Sequence, residues 1–226
     1  NPLVRQAIAH AVNTDAIVST MDGLGVKSAG IIGPLVFGYK PEIEKAAYPY
    51  NPAKGKELLA KAGYPNGLKL ELWTTNASEQ YQRDAQIIQA QLKQIGIDVE
   101  IKVLDWAAYL AATQSGEPQM FILGWANLTQ DGSAMVFPNF HSANAGSSNR
   151  SFYRNPEVDA MIDRSMQTTD QSKRLEILHE INEYLVKEAV VIPLWHQVNV
   201  IAMRSNVQGL HITPAADWEL YPVDIK

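Results

Sequence analysis

Leu68-Lys69-Leu70-Glu71-Leu72-Trp73, the run from Ser78 to Ile95, and Gly96-Ile97-Asp98-Val99-Glu100-Ile101-Lys102-Val103 decide the fold. Leu68, Leu70 and Leu72 alternate with Lys69, Glu71 and Trp73, the period-two pattern of a half-buried strand. Tyr81, Ala85, Ile88, Leu92 and Ile95 fall on one stripe at helical spacing, and Gly96 ends that helix. Ile97, Val99, Ile101 and Val103 then return to period two. Strand, helix and strand of these lengths predict a right-handed βαβ unit with parallel strands.

Working outward, Asp105 is placed to cap a short helix through Leu110. Met120-Phe121-Ile122-Leu123 reads as a strand covered on both faces, as in a parallel sheet. The fold class expected is therefore α/β, a mainly parallel or mixed sheet flanked by helices.

Asn-Pro opens an apolar-periodic segment at Asn1-Pro2, Asn51-Pro52 and Asn155-Pro156. Asn caps free backbone N–H groups, and Pro suits the first helical position, where its missing N–H costs nothing. The first helix buries Val4, Ala7, Ile8, Ala11 and Val12 and breaks near Asn13, where Thr14 or Asp15 caps a short second helix. Gly30 to Tyr50 reads as irregular, broken by Pro34, Gly38, Pro41 and Pro49. A helix from Pro52 to Ala62 stops at Gly63. Gly124 to Arg154 lacks periodicity, is rich in Asn, Ser and Gly, and carries Trp125, Phe137, Phe140, His141, Phe152 and Tyr153. A loop of that length in a compact chain more often serves function than mere connection. Two amphipathic helices follow, one on Val158, Met161, Ile162, Ser165 and Met166, the other on Ile177, Leu178, Ile181, Tyr184 and Leu185. Val190 to Leu194, Asn199 to Met203 and Leu210 to Thr213 are β-rich, and Pro214 to Lys226 has no partner legible in the pattern.

The 226 residues suffice for a substantial core. A net charge of −5 with scattered Lys and Arg gives no basic stripe, which argues against nucleic acid as a partner. The absence of cysteine excludes disulfides, thiolate metal sites and cysteine nucleophiles. No apolar run reaches the length of a membrane-spanning helix, and the first residues have no signal-peptide pattern.

Three motifs are decoys. His179-Glu180-Ile181-Asn182-Glu183 has Glu183 where a zinc-protease helix needs its second His, so it reads as a solvated helix face. Gly23-Leu24-Gly25-Val26-Lys27-Ser28 lacks the Gly-Lys-Ser adjacency of a phosphate loop, and helix termination accounts for both glycines. Asp131 and His141 fit a hydrolase triad on paper, but no nucleophile elbow accompanies them.

The ordered segments Val4-Arg5-Gln6-Ala7-Ile8-Ala9-His10-Ala11-Val12, Tyr50-Asn51-Pro52-Ala53-Lys54, Leu58 through Gly67, Gln91 through Ile97, Gly124-Trp125, Phe140-His141-Ser142, Asn155-Pro156-Glu157-Val158-Asp159 and Ile192-Pro193-Leu194-Trp195 carry a resemblance over essentially the whole chain. It resembles the family 5 solute-binding proteins, which include dipeptide-, oligopeptide-, glutathione- and nickel-binding proteins. The resemblance implies a type II periplasmic-binding-protein lobe, spanning residues 1–205, from the later, C-terminal part of a two-lobed parent. It implies that residues 206–226 form a tail returning to the first lobe. It also implies ligand capture rather than catalysis, no cofactor, and peptides or peptide-like small molecules as ligands. The partners implied are the first lobe and a membrane ABC permease, and the location is periplasmic or, as a lipoprotein, the outer face of the membrane. Ligand-binding candidates are Trp125, Asn127, Asp131, Phe137, Asn149, Arg150 and Trp195. Peptide binders of this family often carry an acid three residues after the Trp of Gly-Trp. Leu128 stands there, with Asp131 the nearest acid, so opine, glutathione-like, sugar and metal-chelate ligands stay open. A small α/β hydrolase or transferase, or a peptide-interaction module without transport, are the competing expectations.

Overall fold

A computed structural model describes residues 1–213 and 216–226. In chain order the elements are α1 (Pro2–Ala11), α2 (Thr14–Val18), β1 (Gly25–Lys27), α3 (Ile43–Ala46), α4 (Pro52–Lys61), β2 (Leu68–Thr75), α5 (Glu79–Lys93), β3 (Ile97–Leu104), α6 (Trp106–Ser115) and β4 (Met120–Phe121). They continue with α7 (Ser133–Phe140), a 3-10 turn (Ser142–Asn144), α8 (Pro156–Gln167), α9 (Gln171–Lys187), β5 (Trp195–Gln197), β6 (Val207–Gln208), β7 (His211–Ile212), β8 (Trp218–Glu219) and β9 (Asp224–Ile225).

The expected βαβ unit is present. β2 and β3 pair in parallel from Leu68↔Ile97 to Thr75↔Leu104, and β4 joins the other side of β2 through Leu72↔Met120 and Trp73↔Phe121. The sheet order is β3-β2-β4. The stripe of α5, with Ala85, Ile88 and Leu92, packs on Leu72, Ile97 and Val99 and on α1 and α4 in one core cluster. A second cluster joins Ile31 and Ile32 to Val136 and Phe140 of α7, Val158, Met161 and Ile162 of α8, and Leu178, Ile181 and Leu185 of α9. Asn182, buried on α9, ties in Ile31 by accepting its N–H at 2.9 Å.

The Asn-Pro starts cap as expected: Asn1, Asn51 and Asn155 accept from the backbone N–H of Leu3, Lys54 and Glu157. Several other readings are corrected. Asn13 itself caps α2, accepting from Ala16 N–H, in place of Thr14 or Asp15. α6 runs to Ser115 instead of Leu110, because an alanine-rich helix persists on propensity alone and stops where Gly116 adopts φ +80°. β4 is two residues long and only half-buried, not a covered run to Leu123. The last ladder bond runs from Ile122 N–H to Trp73 O. Gly124 to Arg154 is not structureless, since α7 and the 3-10 turn lie within it. Gly25 opens β1 instead of ending a helix, with the Met21 thioether packed where a Cβ would go.

The β-rich end also differs. β1 offers β5 only three partners, Gly25↔Gln197 to Lys27↔Trp195, so Val190 to Leu194 and Asn199 to Met203 form no strand despite their propensity. Of the closing segment, Pro214 and Ala215 lie outside the described residues. The rest pairs with its own approach, β6 with β9 and β7 with β8, both antiparallel. Trp218, Leu220, Tyr221 and Ile225 nonetheless remain in solvent.

Candidate functional site

Past β4 the chain leaves the carboxyl end of the parallel sheet, the edge at which open α/β sheets carry their ligands. Gly124 passes so close to α5 that a Cβ there would lie 2.6 Å from the Tyr81 hydroxyl. Burial raises the Tyr81 phenol above its ordinary pKa, against a backbone hydrogen bond from Gly124 that lowers it.

Trp125 follows, 41% exposed, with its indole N–H donating to Ala134 O at 3.2 Å. That carbonyl is available for a physical reason. Ala134 lies four residues before Pro138, which sits inside α7 and has no N–H to return to it. Sequence reasoning missed this bond, although Pro138 in an otherwise helical run signals a free carbonyl one turn earlier.

The next turn is held from both sides. The Asn127 side-chain amide donates to Asp131 O at 2.8 Å, and its carbonyl accepts the Thr129 N–H at 3.2 Å. Gln130 adopts φ +56°. Phe37 bridges the turn, giving its N–H to Gln130 O at 2.9 Å and accepting from Gly132 N–H at 2.8 Å. Gly132 is required for this approach, since a Cβ would meet Phe37 O at 2.8 Å. Both oxygens of Asp131 are engaged. Arg174 Nη2 donates to Oδ1 at 2.6 Å and Nη1 to Oδ2 at 2.7 Å, with Ser133 N–H also on Oδ1 at 2.8 Å. Burial opposes ionisation of Asp131, but Arg174 and Ser133 outweigh it and hold the carboxyl below its usual range. Arg174 also reaches Ser133 Oγ and Ser165 O and lies over the Phe37 ring at 5.3 Å. Nothing in the pattern of α9 distinguished Arg174 from an ordinary surface arginine.

The remaining expected residues face inward. Phe137 packs against the second core cluster and tilts onto His141 with ring centroids 5.1 Å apart. Asn149 is fully buried, donating to His141 O and Tyr153 O and accepting from Ser151 Oγ. Arg150 reaches across to α6, at Leu110 O and Thr113 Oγ1. Trp195 donates its indole N–H to Asp84 Oδ2 at 2.9 Å and lies 6.2 Å from the Tyr81 ring. Asp84, buried on α5 and unforeseen from sequence, also accepts from Gln80 at 2.7 Å. Burial raises its pKa against the hydrogen bonds from Trp195 and Gln80 that lower it. Gln80, Tyr81 and Asp84 thus join α5 to the Gly124 segment and to β5.

The hydrolase pairing is not assembled: Asp131 is taken by Arg174, while His141 accepts Ala143 N–H at Nδ1 and turns Nε2 toward Asp163, 3.4 Å away. His179 contacts Tyr39 O and Glu183 pairs with Lys40, so this decoy helix is engaged in internal contacts.

The model of the bacterial extracellular solute-binding proteins, family 5 Middle, matches residues 1–147. Heme-binding protein A of Haemophilus influenzae is 30% identical over 230 residues, covering 100% of this chain and 42% of the relative. The glutathione-binding protein GsiB of Salmonella choleraesuis is 32% identical over 238 residues, covering 100% of this chain and 45% of the relative. Among solved structures, the periplasmic binding protein DppA of Helicobacter pylori, in complex with the peptide STSA, superposes with a TM-score of 0.87 at 32% identity, covering 100% of this chain and 44% of that one. This chain spans less than half the length of these relatives, and the α/β class expected for it is the fold that they share. The chain belongs to the bacterial extracellular solute-binding proteins of family 5.

Proposed function

We propose that this chain is the ligand-capture lobe of an ABC-importer solute-binding protein for peptides or peptide-like small molecules, and that it catalyses no reaction. The observation that carries the reading is Trp125: its ring is exposed at the carboxyl end of the parallel sheet, yet fixed by the bond to Ala134 O and by the packing of Gly124 on Tyr81. A rigid, exposed aromatic costs little conformational entropy when a ligand stacks on it, which is how binding walls gain affinity. Asn127 and Asp131 hold the adjoining turn in shape. Phe137, Asn149, Arg150 and Trp195 are held by contacts within the chain.

In this reading residues 1–205 are one lobe and residues 206–226 return to the first lobe of the parent, which would cover Trp218, Leu220, Tyr221 and Ile225. Closure of the two lobes buries the ligand, and the closed form docks on a permease at the outer face of the membrane. The ligands of the relatives supply the probes. Calorimetry of the full-length parent with glutathione, the peptide STSA and heme is expected to give saturable binding of at least one, weakened at least tenfold by Trp125→Ala with little change in Tm. Binding unaffected by Trp125→Ala would move the site elsewhere, and no binding of any of the three, or turnover of a generic ester or amide, would overturn the reading.

A further inference from the structure

We infer that Leu35 and Leu128 form one specificity-determining surface beside Trp125, and that the part of the ligand held there is apolar and uncharged. The inference rests on the function proposed above. Gly33-Pro34-Leu35-Val36 is a β-turn closed by Val36 N–H on Gly33 O at 3.2 Å, with Pro at its second position and Leu35 at its third. Leu35 has φ +99°, the left-handed side of backbone space that a type II turn requires there and that glycine occupies freely. A side chain at this position carries steric strain, and this one is 77% exposed, so it returns no burial for that strain. Stability alone would place Gly or Asn at position 35. Strained, exposed residues concentrate where a surface is used.

The partner turn makes the same statement. Leu128, 69% exposed, sits in the turn that Asn127 closes. The two turns are joined through Phe37, which is hydrogen-bonded to Gln130 and Gly132, so Leu35 and Leu128 ride on one braced unit with Trp125 three residues before Leu128. The charge below them is already neutralised, since both oxygens of Asp131 are held by Arg174. An ammonium arriving there would have to displace a bidentate guanidinium, whereas an apolar group meets two leucines and an indole.

The test uses the full-length parent, its Leu35→Gly and Leu128→Ser variants, and two probes of equal length, the peptides STSA and SLLA. Wild type is expected to bind SLLA at least tenfold more tightly than STSA. Leu35→Gly is expected to lose most of that preference while its Tm holds or rises by about 1–3 °C, because the strain is relieved. Leu128→Ser is expected to lose the preference at unchanged Tm. A loss of stability would mark Leu35 as structural, and a preference that survives both changes would overturn the inference while leaving capture intact. Unchanged affinities joined to slower uptake through the permease would assign the surface to permease docking instead. Failure of the wild type to bind either peptide, glutathione or heme would overturn both this inference and the reading beneath it.

Discussion

The paired turns and the closing segment both hold large apolar side chains in water, and they differ in what stands behind them. The paired turns at residues 33–37 and 127–132 rest on Phe37, Gly132, Asp131 and the guanidinium of Arg174, which ties them to α7, to α8 through Ser165 O, and to α9. The closing segment rests on two ladders of two residue pairs each, formed with its own approach. A short ribbon of that kind is marginal by itself. Exposure on a braced support fits the binding surface proposed above. Exposure on an unbraced one fits a segment whose support is another part of the parent, as proposed above.

The largest way to break this contrast is to remove the brace. Arg174→Met leaves the half-buried Asp131 without its counter-ion and the Ser133 and Ser165 acceptors without a donor. The expected loss is about 2–3 kcal/mol, or roughly 4–12 °C in Tm. The pH dependence gives an independent check. The folded-state pKa of Asp131 is lowered, so its stabilising contribution is present above the unfolded value of about 3.9 and is lost as pH falls through the lower folded value. That acid-side slope should shrink in Arg174→Met. An unchanged Tm and slope would mean that the turns hold themselves.

Asp84 sharpens the comparison with the opposite sign. Its folded pKa is raised by burial, so the carboxyl favours folding below about pH 4 and that contribution is lost as pH rises through the folded value. Asp84→Leu leaves the Trp195 indole and the Gln80 amide unpaired and is expected to cost about 2 kcal/mol. Asp84→Asn keeps an acceptor for Trp195 and removes the buried charge. It should change stability by less than about 1 kcal/mol and abolish the loss on the alkaline side. Equal costs for the two variants would show that the hydrogen bond from the Trp195 indole contributes little at Asp84. Chemical denaturation of both across pH 3–8 decides it.

Smaller still is the effect expected at the unbraced end. Truncation after Ser205 removes ladders that contribute little to either core cluster, so residues 1–205 should keep their stability to within about 1 kcal/mol and lose exposed apolar surface. A large fall in Tm would mean that residues 206–226 support the rest of the chain.

What was legible from sequence follows the same division. The βαβ unit was readable because Leu68, Leu70 and Leu72 and the α5 stripe each bury one face, and burial imposes a period. The Asn-Pro caps were readable because capping is local. α7 was not, because Ser133 to Phe140 is apolar around most of its surface and contains Pro138, so neither period nor propensity announces it. Trp125 stood out by its place after a strand. Arg174, Asp84 and Tyr81 did not, since what gives them their roles lies 43, 111 and 43 residues away along the chain, at Asp131, Trp195 and Gly124. The strain at Leu35 was equally invisible: Gly-Pro-Leu-Val reads as a turn, but only the backbone reveals that Leu occupies its left-handed position.

The smallest predicted effect tests the least obvious support. Pro138 leaves Ala134 O without its helical donor, and the Trp125 indole supplies one instead. Pro138→Ala restores an N–H four residues on, in register with that carbonyl. A helical amide is preorganised toward it, whereas the indole must hold a half-exposed side chain in one rotamer. The restored amide should therefore take the better geometry and loosen the ring. Stability should shift by no more than about 1 kcal/mol, because one hydrogen bond replaces another. The indole proton of Trp125 should exchange with solvent faster, and ligand affinity in the parent should fall, since the wall is no longer held in place before the ligand arrives. Unchanged indole exchange would mean that the two lone pairs of Ala134 O serve both donors, so that the restored amide does not displace the ring.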